Sequence, residues 1–431
     1  MSARVGPESN GTGPTENGSS PCVLLVAPRD SYRIAPYMAA ARRLGIDLLV
    51  ASEGEHALAG VRTSGIVVSF SDPAASLTAV QEANRQRPFA AVIGTDDASI
   101  EFAAEASARF GLPHNPPLSV RFTRRKDLAR ARLAACGVPV PRHWTIDLDS
   151  PLAGQLAAIR YPCVAKPVAL SASRGVIRAD DKNQLLHAIS RIGTILQHAG
   201  GGEESKILLI EEFVPGAEVA VEGLLYCGRL DVLAIFDKPD PLDGPFFEET
   251  YYITPSRHSP VTQEKLKAVV AEACDAFGLR EGPIHAECRI NSEGVWVLEV
   301  AARTIGGLCG RLLKFGTGHG LEELVLGHAL GHQILRQGIS DAAGVLMIPI
   351  PQAGILRRVE GVLAAQQVPY VEEVVIDVRE GYELVPLPDG SSYLGFIFSR
   401  APTPAEAEDA LRMAHARLQI VVAPLWKGVQ A

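Results

Sequence analysis

GPIHAECRINSEGVWVLEVAARTIGGLCG, from Gly282 to Gly310, is the stretch whose reading decides the fold. AECRI and VWVLEV read as two short strands. Ser292-Glu293-Gly294 between them reads as a three-residue hairpin loop, with glycine at the position that needs positive φ. In that register the residue numbers of cross-strand partners sum to a constant, so Glu287 lies opposite Glu299 on one face. Directly opposed carboxylates sit about 5 Å apart and repel unless a cation lies between them. A hard divalent cation, Mg²⁺ by preference, relieves that repulsion. Arg303 follows four residues after Glu299 and leads into Gly306-Gly307, where backbone N–H groups can meet an anion. The plain alternative is a solvent-exposed hairpin with incidental charges, and the hairpin alone does not separate the two.

The 431 residues suffice for roughly two to four structural units. Hydrophobic residues make up 47% and charged residues 21%, the composition of a soluble globular protein with ample core. A net charge of −8 argues against non-specific nucleic-acid binding, which needs a basic surface. The seven cysteines are dispersed without a C-x-x-C pair, as expected of reduced thiols in a cytosolic protein. Cys309, beside the glycine pair, is expected to be a small buried hydrophobe rather than a nucleophile. No apolar run approaches a membrane span. Residues 1–20 are polar and small, and are expected to form a disordered tail rather than a signal peptide. A cytoplasmic location is expected.

Residues 21–118 predict a doubly wound α/β domain. Strands over 22–27, 46–51, 65–70 and 89–94 alternate with helices over 37–44, 77–86 and 99–110. No G-x-G-x-x-G follows the first strand, so a dinucleotide fingerprint is absent. Asp96 and Asp97 end a strand where open sheets bind ligands, but helix N-capping is the expected role. Arg121–Cys136 predicts one basic helix containing Lys126. Lys166 stands inside the apolar strand YPCVAKPVAL, where a lysine is costly unless it meets an anion. The next residues, Ser171-Ala172-Ser173-Arg174-Gly175, can close over phosphates with their backbone N–H groups, although no P-loop pattern is present. KILLIEEF, residues 206–213, predicts a strand ending at a turn, a hinge whose backbone suits a flat heterocycle. Glu218 beyond it could hold a pair of sugar hydroxyls. Lys238–Pro255 is rich in proline and aromatics and has the length of a loop that covers an active site. His328 and His332 fall one turn apart on a helix expected over 321–335, but lack a third ligand, so no metal is assigned there. Residues 344–431 predict a separate α+β unit of β-α-β-β-α-β order.

Lys126, Lys166 with its SASRG loop, Glu211-Glu212-Phe213-Val214, Glu218, Glu287, Glu299 and Arg303 occur in an order and spacing that resembles the ATP-grasp superfamily. The match covers roughly 120–331. Where biotin carboxylase has asparagine two residues after the second glutamate, this chain has Ala301, which is similar to the L-amino acid ligase branch. YLGFIFSRA and the TPAEAEDALRMA helix resemble the C-terminal domain of those ligases. The resemblance implies an ATP-grasp domain with lid over 119–331, preceded by the α/β domain and followed by the α+β domain at 344–431. It implies ATP and Mg²⁺ as cofactors, with Mn²⁺ an acceptable substitute. Lys126, Lys166 and the loop bearing Ser171, Ser173 and Gly175 would contact the phosphates. The backbone of Glu212, Phe213 and Val214 would bind the adenine edge, with Glu211 at its amino group and Glu218 at the ribose. Glu287 and Glu299 would hold the metal. Arg303, the implied catalytic residue, would act with Gly306 and Gly307 on the substrate carboxylate, and His285 would contact an amino-acid substrate.

The implied activity is carboxylate–amine ligation of two amino acids through an acyl phosphate. Two alternatives stand beside it: a ligase or carboxylase acting on a nucleotide precursor or other small carboxylate, and a non-catalytic nucleotide-binding protein. The implied partners are an amino-acid carboxylate and an amine, with no nucleic acid and no membrane, and with room for a homodimer.

Overall fold

The computed structural model describes residues 20–54, 65–200, 202–332 and 341–425. The tail expected over 1–20 lies outside these residues, apart from Ser20.

Strands Cys22–Ala27, Asp47–Ser52, Gly65–Val67 and Phe89–Gly94 form a parallel sheet, with the first strand between the second and the fourth. CVLLVA is apolar at every position because both faces of its strand are covered. Val23 and Leu25 pack with Tyr37 and Ala40, while Leu24 and Val26 pack with Val80 and Phe102. The second helix, Pro73–Gln86, begins earlier than its apolar pattern suggests, because Asp72 caps it and Pro73 fits its first turn. Asp96 and Asp97 do not cap Ile100–Phe110; Ser99 precedes that helix, and both carboxylates are engaged elsewhere.

Strands His143–Asp147, Ile207–Glu212, Cys163–Pro167 and Ile177–Ala179 form a small antiparallel sheet covered by the helix Lys182–His198. The central sheet has eight antiparallel strands. Their order is Gly294–Ala301, Gly282–Asn291, Ala217–Tyr226, Arg229–Lys238, Tyr251–Thr254, Ala342–Ile348, Gly395–Ala401 and Val371–Ile376. The segment read as a separate C-terminal unit therefore adds three strands to this sheet. Tyr251–Thr254, inside the stretch expected to be a loop, makes the join. All four of its residues are buried, and it pairs with Ala342–Ile348. Glu383–Leu384, Gly354–Glu360 and Gln419–Ala423 form a further small sheet, and the helix Pro404–His415 follows its cap, Thr403.

The decisive hairpin closes with a two-residue turn, Ser292-Glu293, because Asn291 rather than a residue outside it pairs with Gly294. The Asn291 Oδ1 accepts from the N–H groups of Glu293 and Gly294 at 2.9 and 3.2 Å and so builds the turn. That register alone would set Glu287 opposite Leu298. A bulge leaves Leu298 unpaired and restores Glu287 opposite Glu299. Leu298 and Glu299 consequently line the same cleft in succession.

The basic helix is two helices, Pro117–Arg124 and Lys126–Ala135, broken at Arg125 with φ −102° and ψ 98°. The helix from Leu321 ends at Ala329, so His332 is not on it; 333–335 lie outside the described residues. His328 Nε2 lies 2.8 Å from the Leu225 carbonyl, a structural contact. No helix among the described residues is long and apolar enough to cross a membrane.

Candidate active site

A cleft of about 760 Å³ opens where the N-terminal parallel sheet, the four-stranded antiparallel sheet, the central sheet and the C-terminal segment meet. Every site residue expected from the sequence lines it except Gly175, whose N–H instead donates to the Pro388 carbonyl at 2.9 Å.

The break at Arg125 places Lys126 at a helix start facing the cleft. Its Nζ lies 2.9 Å from the Leu170 carbonyl and 3.4 Å from Glu299. Lys166 projects from its strand to Glu211 at 2.6 Å. Glu211 also pairs with Arg130, whose outer nitrogens donate to the Val297 and Leu298 carbonyls at 3.0 and 2.7 Å. Arg130 thus ties the hinge strand to the hairpin. Burial alone would raise the Glu211 carboxyl, but Arg130 and Lys166 outweigh it and hold it at about 2. Expected at an adenine amino group, Glu211 has both oxygens committed to cations. At the hinge, the Glu212 and Phe213 N–H groups donate to the Arg142 and Pro162 carbonyls at 2.8 and 2.9 Å. The Val214 amide, the next along, borders the cleft. Arg178 and Arg289 lie 4.3 and 4.9 Å from the Phe213 ring centre, a cationic frame for that aromatic wall.

Lys238 had no assigned place from the sequence, where it stood at the start of the expected loop and its contact with substrate was left open. It is buried at the end of its strand, with its ammonium 2.9, 2.6 and 3.0 Å from Glu218, Glu249 and Glu287. The second oxygen of Glu218 accepts from Arg289 Nε at 3.0 Å, so both its oxygens are engaged. Burial and the neighbouring Glu287 charge push the Glu249 carboxyl up to about 7. Glu287 itself stays well below the usual range, since Lys238 and His285 outweigh its burial.

His285 lies 3.2 Å from Glu222 through Nδ1 and 3.5 Å from Glu287 through Nε2. Burial opposes its charge, but the two carboxylates raise it to about 9. Glu222 is fully buried and accepts the Ile305 N–H on both oxygens, at 3.0 and 3.1 Å. His285 is therefore held between the hairpin and the turn after Arg303. No feature of the sequence marked Glu222.

Arg303 donates from Nε and Nη2 to the two oxygens of Asp97 at 2.8 and 3.1 Å, and from Nη1 to the Thr304 carbonyl at 3.0 Å. Despite burial, Arg303 keeps the Asp97 carboxyl below its usual range. Asp96 accepts from Ser31 and lies 3.3 Å from Arg33 Nε. Arg33 in turn donates to the Ile305 carbonyl at 2.9 Å. The two aspartates thus orient the Arg303 turn from the N-terminal sheet, a role their place at a strand end could have suggested.

The donor set fits a hard divalent cation. Glu287 and Glu299 are cross-strand partners that both line the cleft, whereas the Glu218, Glu249 and Glu287 oxygens that lie within 4.8 Å of one another already enclose the Lys238 ammonium. Cys309 is buried and its thiol is pushed up to about 12 by burial and Glu249, so it is not a thiolate at neutral pH.

Three family models match the chain: ATP-grasp N-terminal domain over 38–114, ATP-grasp domain over 159–311, and L-amino acid ligase C-terminal domain 2 over 346–423. The protein y4rH of Sinorhizobium fredii is 25% identical over 428 residues, 98% of this chain and 87% of that one. Carnosine synthase 1 of Gallus gallus is 28% identical over 286 residues, 62% of this chain but only 30% of the relative's length. The crystal structure of L-amino acid ligase from Bacillus licheniformis superposes with a TM-score of 0.77 at 25% identity, covering 94% of this chain and 99% of that one. Fold, site and matches together make the chain an ATP-grasp protein and an ATP-dependent ligase. Within that superfamily it belongs to the L-amino acid ligase branch.

Proposed function

We propose that the protein joins two amino acids into a dipeptide through an acyl phosphate, releasing ADP and phosphate. One observation carries the reading. The segment matching an L-amino acid ligase C-terminal domain supplies Tyr393 and Phe396 to the same cleft as Arg303 and Gly306-Gly307. A domain characteristic of that branch thus borders the place where the acid would be activated.

In this reading Lys126 and Lys166 bind the nucleotide phosphates under the Ser171–Gly175 loop, and the Val214 amide and Phe213 meet the base. Glu287 and Glu299 would hold Mg²⁺, which when bound neutralises charge on the transferring phosphoryl group. Arg303 and the Gly306-Gly307 backbone hold the acid so that its carboxylate oxygen attacks the γ-phosphorus in line. ADP departs and a mixed carboxylic–phosphoric anhydride remains. The neutral amine then attacks the carbonyl carbon, Arg303 stabilises the developing oxyanion, and phosphate leaves, carrying the proton lost from nitrogen. Asp97 keeps the guanidinium aimed during both steps. The enclosing walls exclude water, which would otherwise hydrolyse the anhydride.

The test is ADP release over a matrix of amino-acid pairs, with mass detection of products. Release that requires an amino acid, with a product mass equal to two amino acids less one water, supports the reading. Release driven only by amines or acids of other classes overturns it.

A further inference from the structure

The loop Ser171–Gly175 holds a conformation that its residues do not favour. Ala172 and Ser173 have φ of 54° and 53° without being glycine. Gly175 has φ of 72°, and a Cβ there would come within 2.8 Å of the Pro167 side chain. Such backbone persists where surrounding contacts determine it. Besides the loop's own Arg174 N–H to Ser171 and Val176 N–H to Ser173 hydrogen bonds, those contacts come from the C-terminal segment. Gly175 N–H donates to the Pro388 carbonyl at 2.9 Å, and Arg174 Nε donates to the Asp389 carbonyl at 2.9 Å. The Asp389 carboxylate accepts from Arg191 Nη2 at 2.6 Å and Nε at 3.3 Å. Arg191 lies on the helix that covers the small sheet, so the turn grips the phosphate-loop module at two points.

The turn itself is tightly built. Gly390 N–H donates to the Pro386 carbonyl at 2.9 Å, and a Cβ at Gly390 would lie 1.9 Å from the Val385 carbonyl oxygen. Immediately after it, Ser391, Ser392 and Tyr393 line the cleft. Arg174, the one cation of the loop, is thereby directed at the turn.

We infer that the turn 386–390 of the C-terminal segment is the positioning element of the phosphate loop: the Pro388 and Asp389 carbonyls hold Gly175 and Arg174, and the Asp389 carboxylate anchors the turn itself through Arg191. This rests on the reading that Ser171–Gly175 covers the nucleotide phosphates. The turn pre-organises that cover, so its contacts contribute to ATP binding without touching ATP.

The experiment compares Asp389→Ala, Arg174→Ala, Arg174→Lys, the charge swap Arg191→Asp with Asp389→Arg, and the loop variant Ser171→Ala with Ser173→Ala. In Asp389→Ala and Arg174→Ala, KM for ATP rises about threefold to tenfold, the range set by one hydrogen bond or ion pair. In Asp389→Ala, kcat and the amino-acid KM stay within about twofold, and the melting temperature is unchanged because the Arg191–Asp389 pair is nearly half exposed. Arg174→Lys and the charge swap restore ATP affinity, which a general loss of stability would not allow. Trypsin cuts after Arg174 faster in Asp389→Ala than in wild type. Wild-type ATP affinity and cleavage rate in Asp389→Ala, with weakened ATP binding in the serine variant, overturn the positioning role alone. Unchanged ATP affinity in the serine variant, together with failure of ATP to slow trypsin cleavage after Arg174 in wild type, overturns the phosphate-cover reading and the inference with it.

Discussion

Two buried charge clusters line the cleft with opposite surpluses. At the hinge one carboxylate, Glu211, serves two cations, Lys166 and Arg130. On the central sheet four carboxylates, Glu218, Glu222, Glu249 and Glu287, share three cations, Lys238, Arg289 and His285. Desolvated charge is tolerated when paired, and a surplus calls for a ligand of the other sign. The hinge cluster has positive charge left over and suits a phosphate. The central cluster has negative charge left over and suits a hard cation. Complementarity to a metal–nucleotide pair is thus divided between two networks, each incomplete by itself. Single residues read in isolation give only half of it.

The sharpest way to break this comparison is to remove charge from the metal side. Glu299→Gln keeps the shape of the side chain and its place on the hairpin. ADP formation is expected to fall by about a thousandfold or more, the scale of losing a preorganised electrostatic contact at a transferring phosphoryl group. The melting temperature should hardly move, because Glu299 is partly exposed and its Lys126 contact is long at 3.4 Å. Turnover within about tenfold of wild type would remove Glu299 from the metal set.

Asp97 tests whether either cluster works without the third element, Arg303. Asp97→Asn leaves volume intact but replaces a bidentate ion pair with a neutral contact. We expect kcat to fall by about tenfold to a hundredfold, because the guanidinium is no longer held in one orientation. KM for ATP should change little, since Asp97 touches neither charge cluster. A fall in ATP affinity with unchanged kcat would move Arg303 from the acyl group to the nucleotide.

The paired carboxylates of the hairpin were more legible in the sequence than the hinge cluster, and the reason is physical. Glu287 and Glu299 are linked by a local hairpin, so their pairing follows from strand period and turn. Even the misplaced turn was corrected by the bulge at Leu298, a local event. Lys126, Lys166 and Glu218 were recognisable as an ordered set. Arg130 and Glu222 were not, because their partners lie 81 and 63 residues away, and only the folded sheets bring them together. Lys238 was hidden differently. It was expected to open the loop over Lys238–Pro255, whereas it ends the strand Arg229–Lys238. The aspartates at 96 and 97 looked like helix caps, since capping is a local reading while their real partners sit in other elements. The C-terminal segment carried no visible chemistry, because Pro388 and Asp389 act mainly through backbone carbonyls, which leave no mark on residue type.

Glu211→Gln sharpens the hinge half of the comparison. The folded state holds this carboxyl at about 2, against an ordinary value of 4.5. Its stabilisation is therefore complete above about pH 4.5 and is lost as pH falls toward 2. A shift of that size corresponds to about 3 kcal/mol. The variant should be less stable than wild type by about that amount at pH 7, with the two denaturation midpoints converging near pH 2 to 3. Chemical denaturation across that range measures it. Parallel curves at all pH values would mean that Arg130 and Lys166 find other partners on unfolding or on mutation.

The smallest effect is expected at Cys309, which lines the cleft beside the anionic cluster. A nucleophilic thiol there would offer a covalent route for the acyl group, and the carboxylates argue against it. Burial and Glu249 push its ionisation to about 12, so thiolate is scarce at neutral pH. Cys309→Ala should keep kcat within about threefold and lose about 1 kcal/mol of stability from the small void. Iodoacetamide should leave wild-type turnover unaffected under native conditions, given the burial of the sulfur. Loss of turnover in Cys309→Ala with an unchanged melting temperature would transfer the acyl group from phosphate to sulfur. The surplus negative charge beside it would then need another purpose than holding a cation.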